Sequence, residues 1–391
     1  MLLTRHLDGQ IQAHFDTFKE VLILLGARQV GKTTILKKIL PNAKYLNAET
    51  RPVKNILEMF DPIAYQNLFD PGDKFVIIDE VHKLSDPGRA IKIIYDHLPD
   101  YKLAITGSSA FNIKNRTSES MAGRKINYKI FPLTLSEYLV QKDIEKSLTF
   151  SAFEKVINQD IDNKIIKPYN HLALLNNILV YGLYPETLNH PQKQVYLQNL
   201  VDSVVFKDLT ELSLLENKSQ ALELLKLLAH QIGSMVNYAE LSNRLGISAP
   251  TVKRYIELFE QSYIIFTLKP YSTKKRDEIG KMPKVYFHDL GLRNALIENF
   301  QDIKSRSDSG ALFENFVISE LYKYNSYGNF GYHFNFWRTK SGSEVDLILT
   351  KTNEELIAIE IKSKSGRLNQ SFKRRYPKSS SRIITKDNFW I

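Results

Sequence analysis

Nine residues, Gly26-Ala27-Arg28-Gln29-Val30-Gly31-Lys32-Thr33-Thr34, set two glycines, a lysine and a threonine at the spacing G-x-x-x-x-G-K-S/T. Glycines at those places let successive backbone N–H groups turn inward on a phosphate, at a helix start where the macrodipole already favours an anion. Lys32 is then expected to reach the β- and γ-phosphates, and the Thr33 hydroxyl to bind Mg²⁺. Asp79 and Glu80 close the apolar run Phe75–Ile78. Asp79 is the expected Mg²⁺ partner of Thr33, and Glu80 can orient and polarise a water. Phosphoryl transfer to a small molecule needs no dedicated water activator, so the carboxylate pair favours ATP hydrolysis.

A second group of reactive side chains lies near the end of the chain. Asp346 opens one apolar strand run and Glu360-x-Lys362 closes the next. An antiparallel pairing brings these ends together, and Glu360 and Lys362 share a face because strand side chains repeat every second residue. Two carboxylates can hold a divalent cation, and a neighbouring lysine can orient water.

The elements that must position these groups follow from periodicity. Val21–Leu25 reads as a buried strand before the glycine loop, and Thr34–Leu40 as a helix stopped by Pro41. Tyr45–Asn47, Phe75–Glu80 and Leu103–Ser109 read as further strands of a parallel sheet, over residues 1–138. A helical lid or connector is expected over 139–216. Over 217–288 come a helix, the helix Asn237–Leu245, a Gly246-Ile247-Ser248 turn, a helix from Thr251 and a strand Tyr263–Leu268, which describes a winged helix-turn-helix. Lys253 and Arg254 on its second helix, and Lys274, Lys275 and Arg276 in the hairpin, are candidate DNA-phosphate contacts. Residues 289–391 are expected to form a separate unit ordered helix, three strands, helix, strand.

Composition narrows the class. The 391 residues suffice for several domains, and the absence of cysteine excludes disulfides and thiolate metal sites. Lys and Arg outnumber Asp and Glu by 53 to 43, a net charge of +10, which suits a polyanionic partner. No basic leader with an apolar core opens the chain, and no apolar run approaches membrane length, so a cytoplasmic protein is expected.

Asp79-Glu80, the following Val81-His82-Lys83 and the strand end Thr106-Gly107-Ser108-Ser109 resemble the AAA-type P-loop ATPases. That resemblance implies a γ-phosphate-sensing polar residue among Thr106, Ser108 and Ser109, with Ser108 taken as the candidate. Met121-Ala122-Gly123-Arg124, Pro132-Leu133-Thr134-Leu135-Ser136-Glu137 and Tyr184-Pro185-Glu186 resemble one bacterial and archaeal AAA-like family. It implies a homo-oligomeric ring in which Arg124, or Arg116 in reserve, completes a neighbour's site in trans. Asp346 and Glu360-x-Lys362 resemble the PD-(D/E)xK nuclease superfamily, although Val345 stands where some members have proline. Glu314 would be its helix carboxylate, binding Mg²⁺ with Asp346 and Glu360. The implied fold class is α/β: an AAA-like P-loop sheet with flanking helices, a helical lid, a winged helix and a restriction-nuclease-like domain. The leading expectation is an ATP-hydrolysing motor or switch on DNA; the alternatives are an ATP-gated Mg²⁺-dependent nuclease, as in genome defence, and a signalling NTPase with a protein partner.

Overall fold

Five consecutive aliphatic residues are too few for a helix and too apolar for a surface, and Val21–Leu25 is accordingly a strand, β1, buried along its whole length. The computed structural model describes residues 3–70, 72–107, 121–161, 169–203, 217–272, 282–352, 355–364 and 370–389. Strands β2 (Lys44–Asn47), β3 (Phe75–Asp79), β4 (Lys102–Gly107) and β5 (Lys125–Lys129) join β1 in a sheet ordered β2-β3-β4-β1-β5. Every pairing in it is parallel. Strand β4 therefore separates the strand that enters the glycine loop from the strand that ends in Asp79. The registers Leu24↔Thr106 and Ile78↔Ile105 bring Thr106, Asp79 and the glycine loop to one edge, where an open parallel sheet carries its ligand.

Thr134 and Glu137 close the sheet domain with a capping box, each side chain accepting from the other residue's backbone N–H. The connector holds helices His171–Tyr181 and Lys193–Asp202, with a 3₁₀ turn Pro185–Leu188 between them. Gly182 has φ 67°, and a Cβ there would lie 2.2 Å from Asp289 Oδ1, so no side chain fits. Asp289 uses its carboxylate to accept the N–H of Leu183 at 2.6 Å and that of Leu292 at 3.0 Å, pinning the connector to the helix Leu290–Leu296.

Residues 218–287 run helix Lys218–His230, helix Tyr238–Leu245, helix Ala249–Gln261 and the antiparallel strands β6 (Ile265–Pro270) and β7 (Lys284–Phe287). Asn237 caps the second helix, Gly246 ends it at φ 65°, and Ser248 caps the third by accepting from Thr251 N–H.

The boundary expected at 288/289 is crossed by a sheet. Strands β8 (His333–Arg338), β9 (Glu344–Thr350), β10 (Leu356–Ile361) and β11 (Ser380–Ile384) continue from β6 and β7 in the order β11-β10-β9-β8-β6-β7. The physical reason lies in β6, which changes partner part-way along. Ile265–Leu268 pair with β7, and Lys269 and Pro270 pair with Asn335 and Phe336 of β8. Pro270 lacks an N–H, so it belongs at such a changeover rather than inside a continuous ladder.

The helix Ser309–Tyr327 joins the two halves. Its polar side chains meet the segment leading out of the ATPase-like sheet. Glu320 accepts from Leu135 N–H at 2.6 Å, the Tyr324 hydroxyl from Ser136 N–H at 3.1 Å, and the Tyr327 hydroxyl from Phe131 N–H at 2.9 Å. Lys323 donates to Leu133 O at 3.0 Å and pairs with Glu320 at 2.9 Å. Beside it His288 is packed among Phe131, Phe266 and Tyr322. Burial, then Lys323 and Lys129, push His288 down to about 3. The fold therefore keeps this ring neutral, whereas the unfolded chain protonates it near the ordinary 6.5. The stability it confers is complete above that value and is lost as pH falls toward 3, by about 1.4 kcal/mol per unit. Chemical denaturation should show His288→Phe losing less stability between pH 6.5 and 4 than the unmodified chain loses.

Candidate functional site

The glycine loop leaves β1 and enters the helix Lys32–Ile39, with Gly31 at φ 96° and Gln29 at φ 59°. Gly26 meets a close approach, since a Cβ there would lie 2.2 Å from Ile130 O at the end of the neighbouring strand. Gly26, Ala27 and Val30 are buried under the loop. Arg28, Gln29, Gly31, Lys32, Thr33 and Thr34 face a cleft of about 910 Å³. The Lys32 ammonium folds back to donate to Gly26 O at 3.0 Å and Ala27 O at 2.8 Å.

Asp79 collects hydroxyls. Thr33 donates to its Oδ2 at 2.7 Å, Tyr45 donates to the same oxygen at 2.7 Å, and Thr106 donates to Oδ1. Thr33 and Asp79 therefore stand in direct contact, close enough to serve one Mg²⁺ together, and these residues fit that ion. Glu80 adopts φ 56°, a left-handed conformation unusual for a side-chain-bearing residue. Its Oε2 lies 3.2 Å from His82 Nδ1. Burial raises the Glu80 carboxyl above its ordinary value, against the opposing pull of Lys32. Thr106 comes from the strand beside the Asp-Glu strand and touches Asp79, while Ser108, Ser109 and Arg116 lie outside the described residues.

The connector roofs the cleft. Pro185, Glu186, Leu188, Asn189, His190 and Tyr196 line it opposite the loop, and the Tyr196 hydroxyl donates to Gln29 Oε1 at 2.7 Å. Arg5 lines it too and is buried at 4% exposure. Its guanidinium donates to Val30 O at 2.8 Å and Phe131 O at 2.7 Å, and Nε lies 3.0 Å from Glu137 Oε1. Burial opposes ionisation of both partners, yet each holds the other charged, Arg5 above and Glu137 below its ordinary value. Sequence reading missed Arg5 and Tyr45. The one available signal was the T-x-x-E capping box, which places a carboxylate at Glu137 that burial obliges to find a cation.

Arg124 is at the far edge of the sheet. Its carbonyl accepts from Val21 N–H, a strand length of roughly 15 Å from the glycine loop, and its Nε pairs with Asp96 at 2.9 Å. It is out of reach of its own chain's loop. Lys253 is exposed and 3.8 Å from Glu257, and the Arg254 guanidinium lies 5.6 Å from the Tyr255 ring. Lys274, Lys275 and Arg276 are outside the described residues.

The C-terminal carboxylates do come together, but not as a cation cage. Asp346 Oδ2 accepts from Ile361 N–H at 2.8 Å and from Lys362 at 3.0 Å, and Lys362 also lies 3.1 Å from Glu360 Oε2. Burial alone would lower Lys362; Asp346 and Glu360 raise it instead. Glu314 faces Tyr286, whose hydroxyl donates to Oε1 at 2.7 Å, and Lys284 at 3.4 Å. Among the described residues no group of three His, Asp or Glu side chains stands where it could hold a metal ion. Of the expected Mg²⁺ set, Asp346 and Glu360 share the Lys362 ammonium, and Glu314 stands with Lys284 and Tyr286.

Comparison with known proteins agrees with the first site. Residues 18–139 match the AAA domain family, and this part of the chain is AAA-like. Residues 172–303 and 309–387 match two families described as domains of unknown function (DUF8612 and DUF4143). An uncharacterized protein of Methanocaldococcus jannaschii is 28% identical over 95% of this chain and 82% of its own length. One of Haemophilus influenzae is 23% identical over 87% of this chain and 83% of its own. Among solved structures, the Walker-type ATPase paby2304 of Pyrococcus abyssi is 14% identical with a TM-score of 0.43, covering 76% of this chain and 96% of that one. RuvB of Thermotoga maritima is 16% identical with a TM-score of 0.33, covering 68% and 89%. No described helix is long and apolar enough to cross a membrane.

Replacing Arg5 by Ala strands the buried Glu137 carboxylate and frees the Val30 carbonyl. The expected cost is about 3–5 kcal/mol of stability, with weaker nucleotide binding. Denaturant titration and binding of a fluorescent ATP analogue would measure both.

Proposed function

We propose that this chain hydrolyses ATP and uses the cycle to act on DNA. The observation that carries the first half is Asp79, in contact with Thr33 of the glycine loop and Thr106 of the intervening strand, with Glu80 next to it at the cleft. Triphosphate binding replaces the Gly26 and Ala27 carbonyls around Lys32 with phosphate oxygens, so the lysine changes partner rather than position. Thr33 and Asp79 would hold Mg²⁺, which supplies neutralisation of the charge on the phosphates. Glu80 holds the attacking water and accepts its proton, a role that suits a carboxyl raised by burial. Thr106 positions both carboxylates from the strand beside theirs, because it donates to Asp79 and accepts from Glu80 N–H at 3.4 Å. Tyr196 and the 3₁₀ turn Pro185–Leu188 close over the nucleotide and exclude water.

The DNA half rests on the net positive charge and on the helix–turn–helix with its hairpin, read as a winged helix. The third helix, Ala249–Gln261, presents Lys253 to solvent, and Lys274, Lys275 and Arg276 belong to the hairpin's sequence. Assembly into a ring would let Arg124 leave Asp96 for a neighbour's γ-phosphate, the one geometry in which a cation at the far sheet edge can serve catalysis.

Glu80→Gln should bind ATP as the unmodified chain does and lose roughly 10²–10³-fold in turnover. Retained turnover would remove Glu80 from the water-activating role. Adding single-stranded, duplex or branched DNA at low salt should raise turnover, and Lys253→Ala should reduce that stimulation. A flat response to all three would overturn the DNA half and leave the ATPase half standing.

A further inference from the structure

Lys284 opens β7, in the hairpin that precedes the C-terminal strands, yet its side chain ends among their carboxylates. That side chain is 3% exposed. Its ammonium lies 2.5 Å from Glu344 Oε1 and 3.4 Å from Glu314 Oε1, with the Phe336 ring 5.5 Å away. Tyr286, two residues on and so on the same strand face, donates to the same oxygen of Glu314. Lys362 spans Asp346 and Glu360 on the other side of the cluster. Four carboxylates thus meet two ammonium groups, one of them walled in by protein.

We infer that Lys284 takes the place of the divalent cation these carboxylates would otherwise hold, so that the cluster is a metal-independent ionic joint and not a nuclease centre. A buried ammonium is tolerated only where it is paired, so Lys284 cannot retreat from Glu314 and Glu344 to admit a metal ion. A divalent ion arriving beside it would meet a fixed like charge in a medium that screens poorly. The lysine also does something a metal ion could not. It is covalently part of the hairpin, and so ties the hairpin to the terminal strands whatever the metal concentration. Sequence position gives no hint of this, since Lys284 belongs to neither carboxylate-bearing strand nor to the Glu314 helix.

Thermal unfolding of the full chain without nucleotide, in EDTA and in millimolar Mn²⁺, tests the inference. With Lys284 intact and the glycine-loop metal site disabled by Asp79→Asn, the chain should unfold at the same temperature in both. Lys284→Met, which keeps the bulk and removes the charge, should unfold lower in EDTA and regain roughly 3 °C or more in Mn²⁺. Calorimetric titration should then find a Mn²⁺ site in the variant that the unmodified chain lacks. A Mn²⁺-induced rise that persists when Asp79→Asn disables the glycine-loop metal site would overturn the proposal. So would Mn²⁺-dependent DNA cleavage that Glu360→Ala abolishes. Should Lys284→Met fail to fold, the unfolding temperatures of the Asp79→Asn chain and the cleavage assay decide the matter alone.

Discussion

The structure depends on satisfying the backbone where the chain leaves its parallel sheet. Residues 131–136 turn inside the protein rather than at its surface, so their N–H and C=O groups have no water to bind. The helix Ser309–Tyr327 answers them with Tyr327, Tyr324, Glu320 and Lys323, each aimed at a backbone group of that segment. An unpaired buried amide costs a few kcal/mol, so removing the helix would leave the ATPase-like sheet with several such debts at once. Side chains near the C-terminus thereby complete the folding of the N-terminal domain.

The same segment reaches the nucleotide cleft through Arg5. One guanidinium joins the loop carbonyl of Val30, the carbonyl of Phe131 and the carboxylate of Glu137. The shape of the phosphate loop, the cap of the helix Leu135–Gln141 and the seating of the long C-terminal helix are consequently parts of one buried polar network. Such networks are stable when every member is satisfied and fail sharply when one is not.

What the sequence disclosed follows from the range of each interaction. The glycine loop, Lys32, Thr33 and the capping box are local patterns, so their residue types and spacing already state their geometry. Asp79-Glu80 is equally local, and the apolar strand before it announces where the pair ends. Arg5 meets Phe131 across 126 positions and Tyr45 meets Asp79 across 34, distances over which no periodicity carries information. Pro270 reads as the end of a strand, and nothing nearby tells that β6 exchanges one partner for another at that point. The carboxylates Asp346 and Glu360 were legible as neighbours; that Lys284 of the hairpin would reach the adjoining Glu314 and Glu344 was not.

The six strands from the hairpin to the last strand form one hydrogen-bonded sheet, jointed where β6 changes partner. Bending it would break ladder hydrogen bonds, and sliding it would pull Lys284 from its carboxylates. The nucleotide cleft is built otherwise, with loop and roof meeting through contacts such as the hydroxyl of Tyr196 on Gln29. Parting that contact costs a side-chain hydrogen bond and no ladder bond.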